Sequence, residues 1–191
     1  PLAGTFGKMA RLVRDLARQS GKNVRLAVSG EDTEIDRNMV EALSDPLIHM
    51  IRNAVDHGIE PQDERTAAGK PPAGTISLRA YSAAGNVIIE LADDGRGLDR
   101  KRIVEKAVQR GLIAPGREPT DAEALPLILL PGFSTAENVT NVSGRGVGMD
   151  VVKRGVESLR GKIEVRSNPG AGTTFTLRLP LTLAISDAML L

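Results

Sequence analysis

The chain has 191 residues, 25 Lys plus Arg against 24 Asp plus Glu, no cysteine, and only three Phe and one Tyr as aromatic residues. That excludes disulfides, thiolate-held zinc, iron–sulfur clusters and cysteine nucleophiles, and argues against the basic, aromatic-rich surface of a nucleic-acid binder. No apolar run reaches the roughly 18–20 residues of a membrane span and no charged-then-apolar start reads as a signal peptide, so a cytoplasmic location is expected. The start at Pro1 and the apolar run over 181–191 give the further expectation that the chain is a piece of a longer protein.

Met9, Leu12, Val13 and Leu16 repeat at i, i+3, i+4 and i+7, the stripe of an amphipathic helix, with Gly21 where a C-terminal cap belongs. Val24, Leu26 and Val28 alternate with Asn23, Arg25 and Ala27 as a strand with one buried face, and an acidic turn follows over 31–36. Residues 37–57 read as helical, with Asp45 and Pro46 as a cap and first-turn pair at which the helix kinks or restarts. The segment 58–74 mixes Pro, Gly and charges without a period, so a long exposed loop is expected there.

Ile76, Leu78 and Ala80, then Val87, Ile89 and Leu91, flank a small-residue turn over 83–86 and predict a β-hairpin ending at Asp93. Asp99 is placed to cap a helix that carries Ile103, Val104, Ala107 and Val108 and that Gly111 closes. Thr120 and Glu123 have capping-box spacing ahead of a short apolar segment, and 131–148 reads as a second long loop. A helix through Val147, Val151, Val152, Val156 and Leu159 and two strands, at 163–165 and 175–179, follow. Strands covered on both faces read as continuous apolar runs, whereas these alternate. The expected fold is therefore a two-layer α/β sandwich of about five mostly antiparallel strands with three main helices on one face.

Four constellations carry polar chemistry. His49, Asn53, Asp56 and His57 fall on one helix stripe, with Leu47, Ile48, Ile51, Ala54 and Val55 on the opposite arc. A zinc site from the two histidines is disfavoured, because eight residues put them about 12 Å apart along a helix with no thiolate in support. The run Asp93-Asp94-Gly95-Arg96-Gly97 ends a strand with a carboxylate that can accept from an exocyclic amine, beside glycines that admit a flat base. Ser143-Gly144-Arg145-Gly146-Val147-Gly148 leads into a helix N-terminus and makes an anion cradle suited to phosphate, without the Lys-Ser/Thr of a Walker loop. Gly170-Ala171-Gly172-Thr173-Thr174 feeds the last strand. Taken singly, these also read as a solvated helix face, an ordinary Asp-Gly turn, a hinge and a hairpin turn.

Their order resembles the ATP-binding domain of the GHKL superfamily of histidine kinases, type II topoisomerase ATPases, MutL and Hsp90. The strings LIHMIRNAVDHGIE, DDGRGLD, PGFSTAENVTNVSGRGVGMDVVK and GTTFTLRLPLTLAI are similar to those of the chemotaxis histidine kinases, the CheA family, over nearly the whole chain. The resemblance implies a Bergerat-type fold and an ATP- and Mg2+-dependent protein histidine kinase domain. Asn53 matches the asparagine that ligates Mg2+ between the phosphates. Asp93 matches the carboxylate that receives the adenine amino group, with Gly95 and Gly97 beside the base. Gly144, Gly146 and Gly148 match the lid glycines around the phosphates, with Ser143 and Arg145 among them, and Thr173 matches the threonine on the adenine side. His57 and Arg102 fall where further phosphate contacts lie.

His49 stands four residues before Asn53, where hydrolysing relatives carry glutamate and the chemotaxis kinases histidine; a role in proton transfer or in orienting the γ-phosphate follows from that match. Both histidines of the chain lie in this helix, so the phosphoryl acceptor is expected on a separate phosphotransfer domain. The resemblance further implies a junction after a dimerisation hairpin over 1–20, a catalytic domain over 21–180, and the start of a CheW-like regulatory domain over 181–191. Response regulators downstream, a CheW-like adaptor and chemoreceptors are the implied partners, with a homodimer for the full-length protein and a monomer for this piece. The alternatives are a GHKL ATPase that hydrolyses nucleotide and a nucleotide-binding regulatory module that transfers nothing.

Overall fold

The computed structural model describes residues 1–133 and 148–181. β1 (Val24–Ser29), β2 (Gly74–Ala83), β3 (Asn86–Asp93), β4 (Lys162–Asn168) and β5 (Gly172–Pro180) form one sheet in the order β1-β2-β3-β5-β4. β1 runs parallel to β2, and every other pair is antiparallel. The alternation in the sequence is the alternation of faces: Ile76, Leu78, Ala80, Val87, Ile89, Leu91, Phe175, Leu177 and Leu179 are buried, whereas Arg79 and Arg178 are exposed. One sheet face therefore carries the core and the other is open, as expected for mostly antiparallel pairing.

Four helices of nine residues or more cover the core face, one more than the sequence reading counted: α1 (Ala3–Ser20), α2 (Arg37–Asn53), α4 (Arg100–Gln109) and α6 (Asp150–Ser158). Short α3 (Gln62–Ala67) and α5 (Asp121–Ala124) complete the set among the described residues. α1 buries Phe6, Met9, Val13 and Leu16 and ends at Gly21, whose φ of 68° frees its N–H to reach back to the last turn. Asp36 and Asp99 cap α2 and α4 through their side chains, and Thr120 with Glu123 closes the capping box of α5.

Two expectations about the helical layer fail. α2 passes through Pro46 as one helix rather than restarting there. Pro46 is buried where α6 offers Gly155, at which a Cβ would stand 2.9 Å from the proline ring, so interhelical packing offsets the missing N–H. Nor is 58–74 a long exposed loop: it holds α3, whose Arg65 is 0% exposed and whose neighbour Glu60 is also buried. Without an apolar period, the buried face of this segment is written in charges, which hydrophobic patterning does not read.

The β2–β3 hairpin turns on Ala84 and Gly85, with φ of 50° and 80°. Both central residues of such a turn need positive φ, which glycine adopts freely and alanine at a cost. Ala84→Asn should therefore stabilise the fold by about 1 kcal/mol, read as a higher urea midpoint at unchanged m-value.

Candidate functional site

Asn53 is the last residue of α2, and His49 lies one turn earlier; both are half-buried. Beyond Asn53 the regular helix expected through His57 gives way to a π-turn over Ala54–Gly58, in which Ile59 donates to the Ala54 carbonyl five residues back at 2.7 Å. His57 is exposed on that turn. Lys22, just past the end of α1, takes two carbonyls there, donating to Val55 at 2.7 Å and Asp56 at 3.0 Å. Burial lowers the pKa of this lysine against the opposing attraction of Asp56.

The π-turn delivers Gly58 to the end of β3. A Cβ on Gly95 would stand 2.0 Å from the Gly58 carbonyl oxygen, and the Arg96 N–H donates to that same oxygen at 2.9 Å. On the other side, a Cβ on Gly172 would stand 1.8 Å from the Asp93 carbonyl oxygen. Asp93 thus lies between three backbone segments, with its Oδ1 accepting from the Gly95 N–H at 2.9 Å. Burial pushes its carboxyl up to about 6, against the lowering effect of N–H donation from Gly95 and Thr173.

Thr173 is buried, and its hydroxyl lies 3.1 Å from that of Ser167, which also accepts from the Leu98 N–H at 2.7 Å. Gly97, with φ of 76°, lies against the Asn168 carbonyl, where a Cβ would stand 2.5 Å away. The Gly170 N–H donates to the Arg96 carbonyl at 2.8 Å. The Gly-Ala-Gly-Thr turn and the Asp-Asp-Gly-Arg-Gly loop therefore form one unit rather than two separate turns. A groove of about 500 Å³ between α5 and the outer edge of β4 reaches Ser167 and Asn168 but not Asp93.

The region between the end of α2 and the start of α6 is described in part. Ser143, Gly144, Arg145 and Gly146 lie outside the described residues; Gly148 precedes α6, and next to it Met149 places its Sδ 2.8 Å from Asn53 Nδ2. That contact joins the end of the glycine-rich segment to the end of α2. Arg102 sits in the first turn of α4, and Lys106 follows one turn later, with Arg110 beyond it. Burial, and after it the neighbouring Arg110 and Arg102, holds the Lys106 ammonium below its usual pKa. Lys106 was not singled out from sequence, although its i+4 spacing from Arg102 carries the signal.

No cluster of three or more His, Cys, Asp or Glu among the described residues makes a metal cage. The donor set suits Mg2+ only as an ion shared with phosphate: Asn53 offers one neutral amide oxygen, and the buried Asp150 Oδ1, one residue past Met149, has no hydrogen-bond partner. Such an ion keeps most of its ligands as water and phosphate oxygens.

Residues 42–183 match the family described as histidine kinase-, DNA gyrase B-, and HSP90-like ATPase. The chain belongs to this family, and its likeness within it is to the ATP-binding domain of CheA-type histidine kinases. It is 53% identical to the chemotaxis protein CheA of Cereibacter sphaeroides over 96% of the chain and 27% of that protein. To the sensor histidine kinase CheAY of Helicobacter pylori it is 50% identical over 100% of the chain and 24% of that protein. The chain thus spans about a quarter of the length of the curated relatives it matches. Among solved structures, full-length ShkA in complex with AMPPNP aligns with a TM-score of 0.61 at 20% identity, covering 94% of this chain and 30% of that one. The blue-light activated histidine kinase of Erythrobacter litoralis aligns at 0.59 and 16% identity, over 97% of this chain and 43% of that one. These two show the fold alone. The resemblance read from sequence and the two-layer α/β fold are both borne out. No helix of the described residues is long and apolar enough to cross a membrane.

The raised pKa of Asp93 fixes the sign of two pH effects. Because the folded value lies above the ordinary 3.8, the carboxylate costs stability progressively as pH rises from about 4 to about 6, and fully above that. Asp93→Asn should therefore melt at or above the wild-type temperature at pH 7.5, with the gain vanishing near pH 4. Adenine nucleotide affinity of the wild type should fall as pH drops through 6, since protonation removes a charge-assisted acceptor, and calorimetry should find that inflection absent in Asp93→Asn.

Proposed function

We propose that this domain binds ATP with Mg2+ and transfers the γ-phosphoryl group to a histidine on a separate phosphotransfer domain. The observation that carries the reading is Asp93, a carboxylate set in a recess walled by backbone, with one oxygen held by Gly95 and the other beside Gly58. An acceptor in a slot too narrow for side chains fits the amino group of a flat base. On this reading Asn53, His57, Arg102 and Lys106 serve the triphosphate, together with Gly148 and with Ser143, Gly144, Arg145 and Gly146, which lie outside the described residues. Thr173 supports the base side through its hydroxyl.

Mg2+, when bound through Asn53, neutralises developing charge on the phosphates. Phosphoryl transfer needs little covalent chemistry from the protein, so these residues act by orienting the nucleotide and balancing its charge. His49, one turn before Asn53, supports transfer over hydrolysis, because it supplies no carboxylate to activate water. The CheA relatives, histidine kinases by name, support the same choice over a plain ATPase or a non-transferring module.

The wider assignment follows the same relatives. Residues 1–20 form the junction after a dimerisation hairpin, 21–180 the catalytic domain and 181–191 the start of a CheW-like regulatory domain. The full-length protein is a cytoplasmic homodimer that works with a CheW-like adaptor, chemoreceptors and response regulators, and this piece alone is a monomer. α1 buries its apolar stripe in the core, which supports reading residues 1–20 as a stiff junction.

With γ-labelled ATP, Mg2+ and a separate CheA-type phosphotransfer domain, the label should appear on the acceptor histidine and be lost with Asn53→Ala. Free phosphate as the sole product would favour the ATPase, and bound but unconverted ATP the regulatory module. His49→Ala should slow transfer by roughly a hundredfold while leaving nucleotide affinity within about twofold; unchanged transfer would remove His49 from the chemistry.

A further inference from the structure

The segment 60–71 packs against the base loop from behind with an unusual density of charge. Arg65, at 0% exposure, donates from Nη1 to Glu60 Oε1 at 3.0 Å and from Nη2 to Asp94 Oδ2 at 3.1 Å. Its Nε reaches the Pro71 carbonyl at 2.8 Å, and Nη1 also reaches the Asp94 carbonyl at 3.1 Å. Lys70 donates to Glu60 Oε2 at 2.6 Å, to the Asp94 carbonyl at 3.1 Å and to the Gly95 carbonyl at 2.8 Å. The second carboxylate oxygen of Asp94 accepts from the Thr75 N–H at 2.8 Å. Two cations and two anions are thus closed on one another and on the main-chain carbonyls of Pro71, Asp94 and Gly95.

The consequence lies in which acceptors remain. The carbonyls of Asp94 and Gly95 are taken by Lys70, that of Arg96 by Gly170, and that of Gly58 by Arg96. Asp93 Oδ1 is taken by Gly95, and the carboxylate, which also receives the Thr173 N–H, lies against Gly58 and keeps lone pairs for a further donor. A loop whose peptide groups were free to rotate would present carbonyls or N–H groups to a base interchangeably. An N–H turned inward would donate to the 6-oxo group of hypoxanthine as readily as a carboxylate accepts from the 6-amino group of adenine.

We infer that Lys70, backed by Arg65 and Glu60, is a positioning residue for base selection: it holds the Asp94 and Gly95 carbonyls away from the base so that the Asp93 carboxylate alone reads the 6-position. The inference rests on Asp93 as the adenine acceptor, and it extends that reading to a specificity device built from residues outside the site. Gly95 is the sensitive point, since the Asp94 carbonyl keeps Arg65 when Lys70 is lost.

The test compares binding of ATP and of ITP, the same nucleotide with oxygen for the 6-amino group, by calorimetry on the 191-residue chain. Lys70→Met keeps the hydrocarbon stem and removes the ammonium, and Lys70→Arg restores a cation. The expected result is an ATP-to-ITP affinity ratio about tenfold lower in Lys70→Met, through weaker ATP and tighter ITP binding together, recovered in part by Lys70→Arg. A Lys70→Met protein that melts lower but keeps the wild-type ratio would assign Lys70 to stability and overturn the inference. A wild-type chain that binds both nucleotides equally would overturn the adenine reading itself, and equal weakening of both by Lys70→Met would leave that reading standing while overturning the selection role.

Discussion

The site depends on backbone segments approaching more closely than any side chain permits. The π-turn after α2, the loop after β3 and the start of β5 converge on Asp93. At Gly95 and Gly172 a Cβ would overlap a neighbouring carbonyl oxygen, at 2.0 Å and 1.8 Å. Because β3 lies between β2 and β5, its last residue is held from both sides and has little freedom to drift. Pairing of Ala92 with Thr174 brings the Gly-Thr turn to the Asp-Gly loop, and the hydroxyls of Ser167 and Thr173 tie β4 and β5 there. A recess made in this way is shaped by main chain, whose position is set by the sheet rather than by rotamers.

Charge is divided around that recess according to what it does. Behind the loop, Glu60, Arg65, Lys70 and Asp94 satisfy one another, so burial is compensated by short, charge-assisted hydrogen bonds. Attraction to Lys70 and Arg65 holds the Glu60 carboxyl below its usual range even though burial opposes this. In front of the loop, Asp93 has N–H donors but no cation, and burial raises its pKa instead. A cation beside Asp93 would instead have lowered its pKa. The cluster behind the loop is internally satisfied, whereas the carboxylate in front of it is left without a cation.

The helical layer joins the recess at Asp93 to the start of α6. α2 ends with Asn53 beside Met149, and the π-turn that follows brings Gly58 beside Asp93, so one helix end connects both places. The carbonyls of Val55 and Asp56 in that turn are met by Lys22 from the end of α1, which ties the first helix of the chain to the site. Packing of Gly155 against Pro46 carries α2 unbroken past its proline and brings α6, which begins just after the glycine-rich segment, alongside it.

Wherever hydrophobic periodicity or turn chemistry governs structure, the sequence by itself determined the outcome. The stripe of α1 with its Gly21 cap, the Asp99 cap, the capping box at Thr120 and the alternating strands were legible because each depends on residues within a few positions. Asp93 and Asn53 were legible as chemistry, since their residue types and spacing sit at element ends. Only the tertiary structure decided what depends on distant partners. Arg65 and Lys70 resembled loop charges until Asp94, more than twenty residues away, gave them something buried to hold. Pro46 signalled a break until Gly155 offered it a groove, and the turn at His57 followed a regular helix until Lys22 accommodated its displaced carbonyls. A local pattern can specify a helix or a strand because its hydrogen bonds close locally; a buried charge or an irregular turn is stable only when another part of the chain satisfies it.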